Sequence, residues 1–248
     1  MLALLCGGQG RLSADMFALT ADHPAAVPIF AAASRLVGTD PRQLVESADA
    51  ERLSANRTSQ LLSVTAVLAA HAAIADKLPQ RFAVTGYSVG EMAAWSIAGV
   101  WSAEEALILT DHRARAMDIA DGGEGHLAYV RGLDRKALSE LASRHGCAIA
   151  IIDPGNLFVV GGALPDVTRL CRAAEAAGAV RAALLDVKVA SHTPRLTAAV
   201  APFLEGPEAG NRGRTGGGSP ADSRWRRGPA SSARQARSTG SPSRPRRR

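Results

Sequence analysis

The sequence is short of cysteine. Its 248 residues hold three, Cys6, Cys147 and Cys171, an odd number with no C-x-x-C pair and no histidine at metal-ligand spacing, which speaks against both a disulfide framework and a zinc site. A reducing, cytoplasmic compartment is expected. Also missing is an apolar run long enough for a bilayer: the longest candidate, "LLSVTAVLAAHAAIA" (61–75), is interrupted by Ser63, Thr65 and His71 and falls short of the roughly 20 residues a span needs. It reads as a buried core helix, and no membrane partner is expected. The opening "MLALLC" is too brief for a signal-peptide core and runs at once into "GGQG", so no export is expected.

Aliphatic residues are absent from the C-terminal stretch. From Glu205 to Arg248 there is no Leu, Ile, Val, Met or Phe, so 205–248 cannot build a core and is expected to be disordered and open to protease. The same stretch holds eleven arginines against Glu205, Glu208 and Asp222, leaving 18 basic and 20 acidic side chains in residues 1–204. The net charge of +6 is thus a property of the tail. An arginine-rich arm for nucleic acid and an out-of-frame reading of a GC-rich gene both fit this vocabulary. Nothing else in the chain suggests nucleic acid, which favours the second reading.

What remains is 46% apolar overall and globular in pattern. Residues 125–187 parse as strand, helix, strand, the turn "PGN", strand, helix and strand. Asp134 and Pro165 stand at the helix starts, with Gly146 and Gly178 at the ends. The β-α-β-β-α-β order predicts a ferredoxin-like small domain over 123–187. Around it, 1–122 and 188–204 alternate strand and long helix, predicting a larger α/β domain with a mostly parallel sheet, into which the small one is inserted.

Three residues on this framework carry chemistry. "GYSVG" (86–90) lies between a buried strand expected at 82–85 and an alanine-rich helix at 91–98. A G-x-S-x-G at such a corner is a nucleophile elbow, with the glycines allowing the tight turn and the free amides of the helix start facing the serine. Ser88 is the candidate nucleophile, against the alternative of a glycine-flanked serine in an ordinary loop. A serine needs a base. His192 follows the apolar strand "ALLDVKVA" and precedes Thr193 and Pro194, an N-cap and N1 pair, whereas the other five histidines sit in helical or strand patterns. In the helix opened by the capping box Ser102 and Glu105, helical spacing gives an inward stripe of Ala106, Leu109, Thr110, Arg113, Ala116, Met117 and Ala120, with Asp111, Arg115 and Asp118 on a solvated face. Arg113 is the only charge on that stripe. Its planar fork suits a carboxylate, and spacing alone leaves open whether that carboxylate is a ligand or a core Asp or Glu, or whether the stem lies along the surface with its head in water.

"GGQG", "GYSVGE", "HRARAM" and "VASH", in this order and with a ferredoxin-like insert before the last, resemble the malonyl-CoA:acyl-carrier-protein transacylase family over about residues 2–204. The resemblance implies an α/β-hydrolase-like large domain, Ser88 as the acylated nucleophile and His192 as its base. It implies that Arg113 binds the free carboxylate of malonate and that the backbone amides of Gln9 and Val89 form the oxyanion hole. Malonyl-CoA and an acyl carrier protein are the implied partners, and no cofactor or metal is implied. Tyr87, where the family usually has histidine, makes "GYSVGE" more similar to the transacylase subunit of malonate decarboxylase, adding other subunits of that complex as partners. The stretch around "PGNLFVVGG" resembles the family's N-x-P-G-Q segment, with Ile152 and Asn156 standing where the family has Asn and Gln. Family members continue past the histidine with folded sequence, including a carbonyl that orients that histidine. Here the tail stands instead, so the large domain is expected to lack its C-terminal part, and Asp186 is read as structural rather than as a substitute. A serine esterase or thioesterase, or an inactive subunit that only binds carrier, are the rival readings.

Overall fold

Two short apolar runs far apart in sequence pair first. In the computed structural model, which describes residues 1–206, strand β1 (Leu2–Cys6) lies parallel to β2 (Phe82–Gly86), with Leu2 opposite Phe82 and Cys6 opposite Gly86. Parallel partners need a long crossover. It is supplied by α1 (Val27–Val37), α2 (Pro41–Ser47), α3 (Ala50–Ser54) and α4 (Asn56–Ile74). After β2 come α5 (Gly90–Ile97) and α6 (Ala103–Asp121). Asp40 and Asp49 cap α2 and α3 through their carboxylates, and α6 opens on the expected capping box, Ser102 with Glu105, and closes on left-handed Gly122.

Helix α4 is the hub. Asn56–Lys77 is long and apolar enough to cross a membrane, but Leu61, Leu62 and Val64 are completely buried among neighbouring elements, each such side chain contributing about 1.5–3 kcal/mol. One side of α4 joins Cys6, Ile29, Met92 and Leu107 in the central core. Its other side joins Phe17, Phe30 and Leu44 in a second cluster.

The strand at 82–85, expected to be buried, is covered on one face only. Val84 points toward the helices, while Ala83 and Thr85 are exposed beside Ala3 and Leu5, the last 80% exposed. Alternation along a strand makes this a consequence of register. The helices of the described residues cover the Leu4 and Val84 side.

The segment that follows is β3 (Gly125–Arg131), α7 (Arg135–Arg144), β4 (Ala148–Asp153), β5 (Leu157–Ala163), α8 (Leu164–Ala176) and β6 (Arg181–Leu184). Its four-stranded sheet has the order β4-β5-β3-β6, with every neighbouring pair antiparallel. Asp134 caps α7, and Gly146 and Gly178 take positive φ just past the two helix ends. Asn156, in the turn between β4 and β5, has φ of 54°, a conformation asparagine tolerates better than most side chains. Strand β6 is shorter than the sequence pattern implied. From Leu185 to Thr193 the chain runs outside regular structure, then enters a 3-10 turn (Pro194–Ala199) and α9 (Val200–Glu205). Glu205 therefore closes a helix, and from 207 onward the expected disordered tail lies outside the described residues.

The expected borders at 122 and 187 are not gaps in packing. A third cluster brings Ala116 and Met117 of α6 against Leu127, Val159, Val187, Val189 and Leu196. This shared core fixes the two parts against each other beside the elbow.

Candidate active site

Ser88 occupies the corner between β2 and α5 with φ of 52°, a left-handed conformation that costs a non-glycine residue roughly 1–2 kcal/mol. The turn is held by Tyr87, whose amide donates to the Cys6 carbonyl at 2.9 Å, and by Gly90, whose amide donates to the Tyr87 carbonyl at 2.9 Å. Gly90 permits that approach: a Cβ there would lie 2.3 Å from the Cys6 carbonyl oxygen and 2.6 Å from that of Gly7. Gly90→Ala must push α5 off β1. Such overpacking is expected to destabilise the fold by about 1–3 kcal/mol or more, visible as a lowered melting temperature, and an unchanged melt would show that the elbow is looser than its geometry.

His192 reaches the serine from the loop after β6. Its Nε2 is 2.8 Å from Ser88 Oγ, so with the proton on Nδ1 the ring can accept from the hydroxyl. The backbone at His192 is also left-handed, with φ of 59°. Buried Val189, Ala190 and Ser191 anchor the approach to it. Thr193 precedes the 3-10 turn as expected, but its hydroxyl does not cap that turn and instead donates to the Ala190 carbonyl at 2.6 Å. Desolvation, then the charge of Arg113, hold the His192 imidazole below the ordinary histidine range, with Glu91 opposing. Asp186 is exposed and faces a different cleft with Arg11 and Lys188.

Arg113 meets no carboxylate at ion-pair distance among the described residues. One guanidinium nitrogen donates to Gln60 Oε1, and burial lowers its pKa, partly offset by Glu91. It opens onto a cleft of about 360 Å³ with Met117, His192, Leu196 and Phe203. Ser88, Gln9 and His192 line a narrower slot of about 50 Å³, closed from above by Leu127, Ile151 and Val159 of the antiparallel sheet. His192 belongs to both spaces. Among the described residues neither the Gln9 nor the Val89 backbone amide has an acceptor, which leaves both donors available to an anion.

The stripe expected on α6 needs correction. Asp111 is 9% exposed rather than solvated, bonded to Arg57 and, at 2.7 Å, to Arg115. Asp118 is half-buried and accepts from Asn56 at 2.8 Å, and Asp121 is buried as well. The helix packs on two sides, so a single inward face undercounts its buried charges. Sequence reasoning also missed Asn56 and Gln60. Gln60 is completely buried and donates to Asn56 Oδ1 at 2.7 Å, which also receives the Gln9 side chain at 3.2 Å. A connected polar network thus runs from Gln9 to Arg113. Its signal was the recurrence of Asn56, Ser59, Gln60 and Ser63 at helical spacing along an otherwise apolar helix.

No family model matches the chain. It is similar to the malonyl CoA-acyl carrier protein transacylase of Haemophilus influenzae, 31% identical over 199 residues, covering 77% of this chain and 64% of that relative. The Mycobacterium tuberculosis protein of the same name is 32% identical over 211 residues, covering 83% and 68%. The chain thus spans about two thirds of the length of these curated relatives. Among solved structures, the malonyl-CoA:acyl carrier protein transacylase of Xanthomonas oryzae superimposes with a TM-score of 0.74 at 29% identity, covering 82% of this chain and 67% of that one. A malonyl-transacylase solved in complex with its type II acyl-carrier protein gives 0.73 at 27% identity, covering 82% and 68%. By sequence and fold, this chain belongs to the malonyl-CoA:acyl-carrier-protein transacylase family.

Proposed function

We propose that the chain transfers a malonyl group from malonyl-CoA to the prosthetic thiol of an acyl carrier protein through a malonyl ester on Ser88. The observation that carries the reading is the 2.8 Å contact between Ser88 and His192 beside an Arg113 with no carboxylate partner among the described residues. Ser88 Oγ attacks the thioester carbonyl as His192 Nε2 takes its proton. The oxyanion rests on the Gln9 and Val89 amides, the carbon–sulfur bond breaks, and the CoA sulfur leaves with the proton from the imidazole. The carrier thiol repeats the attack on the ester, giving ping-pong kinetics. Arg113 holds the distal carboxylate, which acetyl-CoA lacks.

Residues 123–187 act in this reading as a ferredoxin-like insert that roofs the serine slot. Residues 1–122 and 188–204 form the catalytic domain. Tyr87 before the serine favours the transacylase subunit type of malonate decarboxylase, with the other subunits of that complex as neighbours. The free cysteines favour a cytoplasmic setting. Intact mass spectrometry of the full chain after mixing with malonyl-CoA or acetyl-CoA tests the proposal. A malonyl adduct that Ser88→Ala abolishes, and that persists until carrier is added, is the expected result. Rapid loss to water without carrier would make the chain a thioesterase, and no adduct would make it a binding subunit.

A further inference from the structure

His192 holds a backbone conformation that a side chain adopts only when its surroundings enforce it. The enforcing contacts converge on one buried carboxylate. Asp121, at the end of α6, has a side chain 1% exposed. Its Oδ2 accepts from the Gly125 amide at 2.7 Å. Its Oδ1 accepts from the Ala190 amide at 3.2 Å and from Arg195 Nε at 3.3 Å. Arg195 Nη2 also donates to the Asp121 carbonyl and to Glu124, both at 2.9 Å. The carboxylate is therefore tied to the chain two residues before His192 and three residues after it. The crowding is tight: a Cβ on Gly125 would lie 1.9 Å from Asp121 Oδ1 and 2.6 Å from the Ala190 nitrogen, so position 125 has room only for glycine.

We propose that Asp121 is a positioning residue for His192, its buried carboxylate clamping the backbone on both sides of that histidine through Ala190 and Arg195. The clamp fixes where the imidazole stands relative to Ser88. It does so from α6, the same helix that carries Arg113, so the base and the carboxylate-binding arginine share one rigid support. Charged or titratable groups facing His192 are Arg113 from α6 and Glu91 from α5, with the Ser88 hydroxyl at the elbow. A loosened loop lets the ring move away from Arg113 and into water. Its pKa then rises toward that of a free histidine.

Only the kinetic arm of the test rests on the transacylase reading. In the full chain with labelled histidines, the six imidazoles are titrated by NMR, with His192→Gln identifying the resonance. Asp121→Asn and Arg195→Lys are compared with wild type, and Ser88 acylation by malonyl-CoA is timed in each. Both variants are expected to raise the His192 pKa by on the order of half a unit or more and slow acylation by roughly 10 to 100-fold, as small misplacements of a reacting group do. The other histidines stay in place except His126, which feels the Asp121 charge and falls in Asp121→Asn. The direction is diagnostic, because deleting the Asp121 charge without moving the ring would lower that pKa rather than raise it. Arg195→Lys keeps its charge and loses only the fork. It carries the test if Asp121→Asn does not fold, since Arg195 is the partly exposed arm. An unmoved or lowered His192 pKa in the folded variants would overturn the proposal and leave Asp121 a purely structural group. Failure of wild type to acylate would instead defeat the transacylase reading, while the titration would still decide the clamp.

Discussion

Replacing His192 by glutamine is expected to slow acylation of Ser88 by about 10² to 10⁴-fold, the usual loss on removing a positioned base. Glutamine can hydrogen-bond to the hydroxyl but cannot take its proton. The pH profile supplies the second signature. Desolvation and Arg113 depress the His192 pKa below its ordinary value of 6.5, so in wild type the neutral, competent ring persists into mildly acidic solution. Acylation should fall only as pH drops through that lowered midpoint. In the glutamine variant that limb should vanish, leaving a low residual rate with no midpoint in this range. An acid limb that survives the substitution would assign the titration to another group, and His192 would then be a bystander to the serine.

Arg113 separates a malonyl transferase from a general esterase. A charge-assisted contact to the distal carboxylate is worth about 1.5–3 kcal/mol. Its loss in Arg113→Ala should therefore slow malonyl transfer by roughly 10 to 200-fold. Acetyl transfer makes no such contact and should hold or improve, because a buried guanidinium has been removed. Arg113→Lys should rescue only in part, since a point charge cannot reproduce the planar fork and must also replace the bond to Gln60. Timing Ser88 acylation by each thioester in the three proteins decides the matter. Equal losses for malonyl and acetyl groups would reduce Arg113 to a structural role and leave the acyl group unspecified.

The corner around Ser88 was legible because its signals are local. Two glycines, a β-branched strand and an alanine-rich helix sit within twenty residues, and their backbone consequences need no distant partner. The element order of 125–184 was legible for the same reason, its caps and turn residues falling where the pattern changes period. Sidedness was not legible. Whether β2 is covered on one face or two depends on what packs against it from elsewhere in the chain, and Ala83 and Thr85 carry no mark of their exposure. Asp111 reads as a surface residue until Arg57, 54 positions away, is seen to approach it. Asp121 was missed on the same grounds, since its partners Ala190 and Arg195 lie about seventy positions downstream.

Ser88 and His192 share a feature that sets stability against activity. Both stand at positive φ, where glycine is the least strained residue, so each costs the fold up to roughly 1–2 kcal/mol that Ser88→Gly or His192→Gly would return in part. In a copy of this gene no longer selected for turnover, drift toward glycine at 88 and 192 would be rewarded with a sturdier protein. In the mechanism proposed above, serine and histidine at those two positions therefore exchange stability for chemistry.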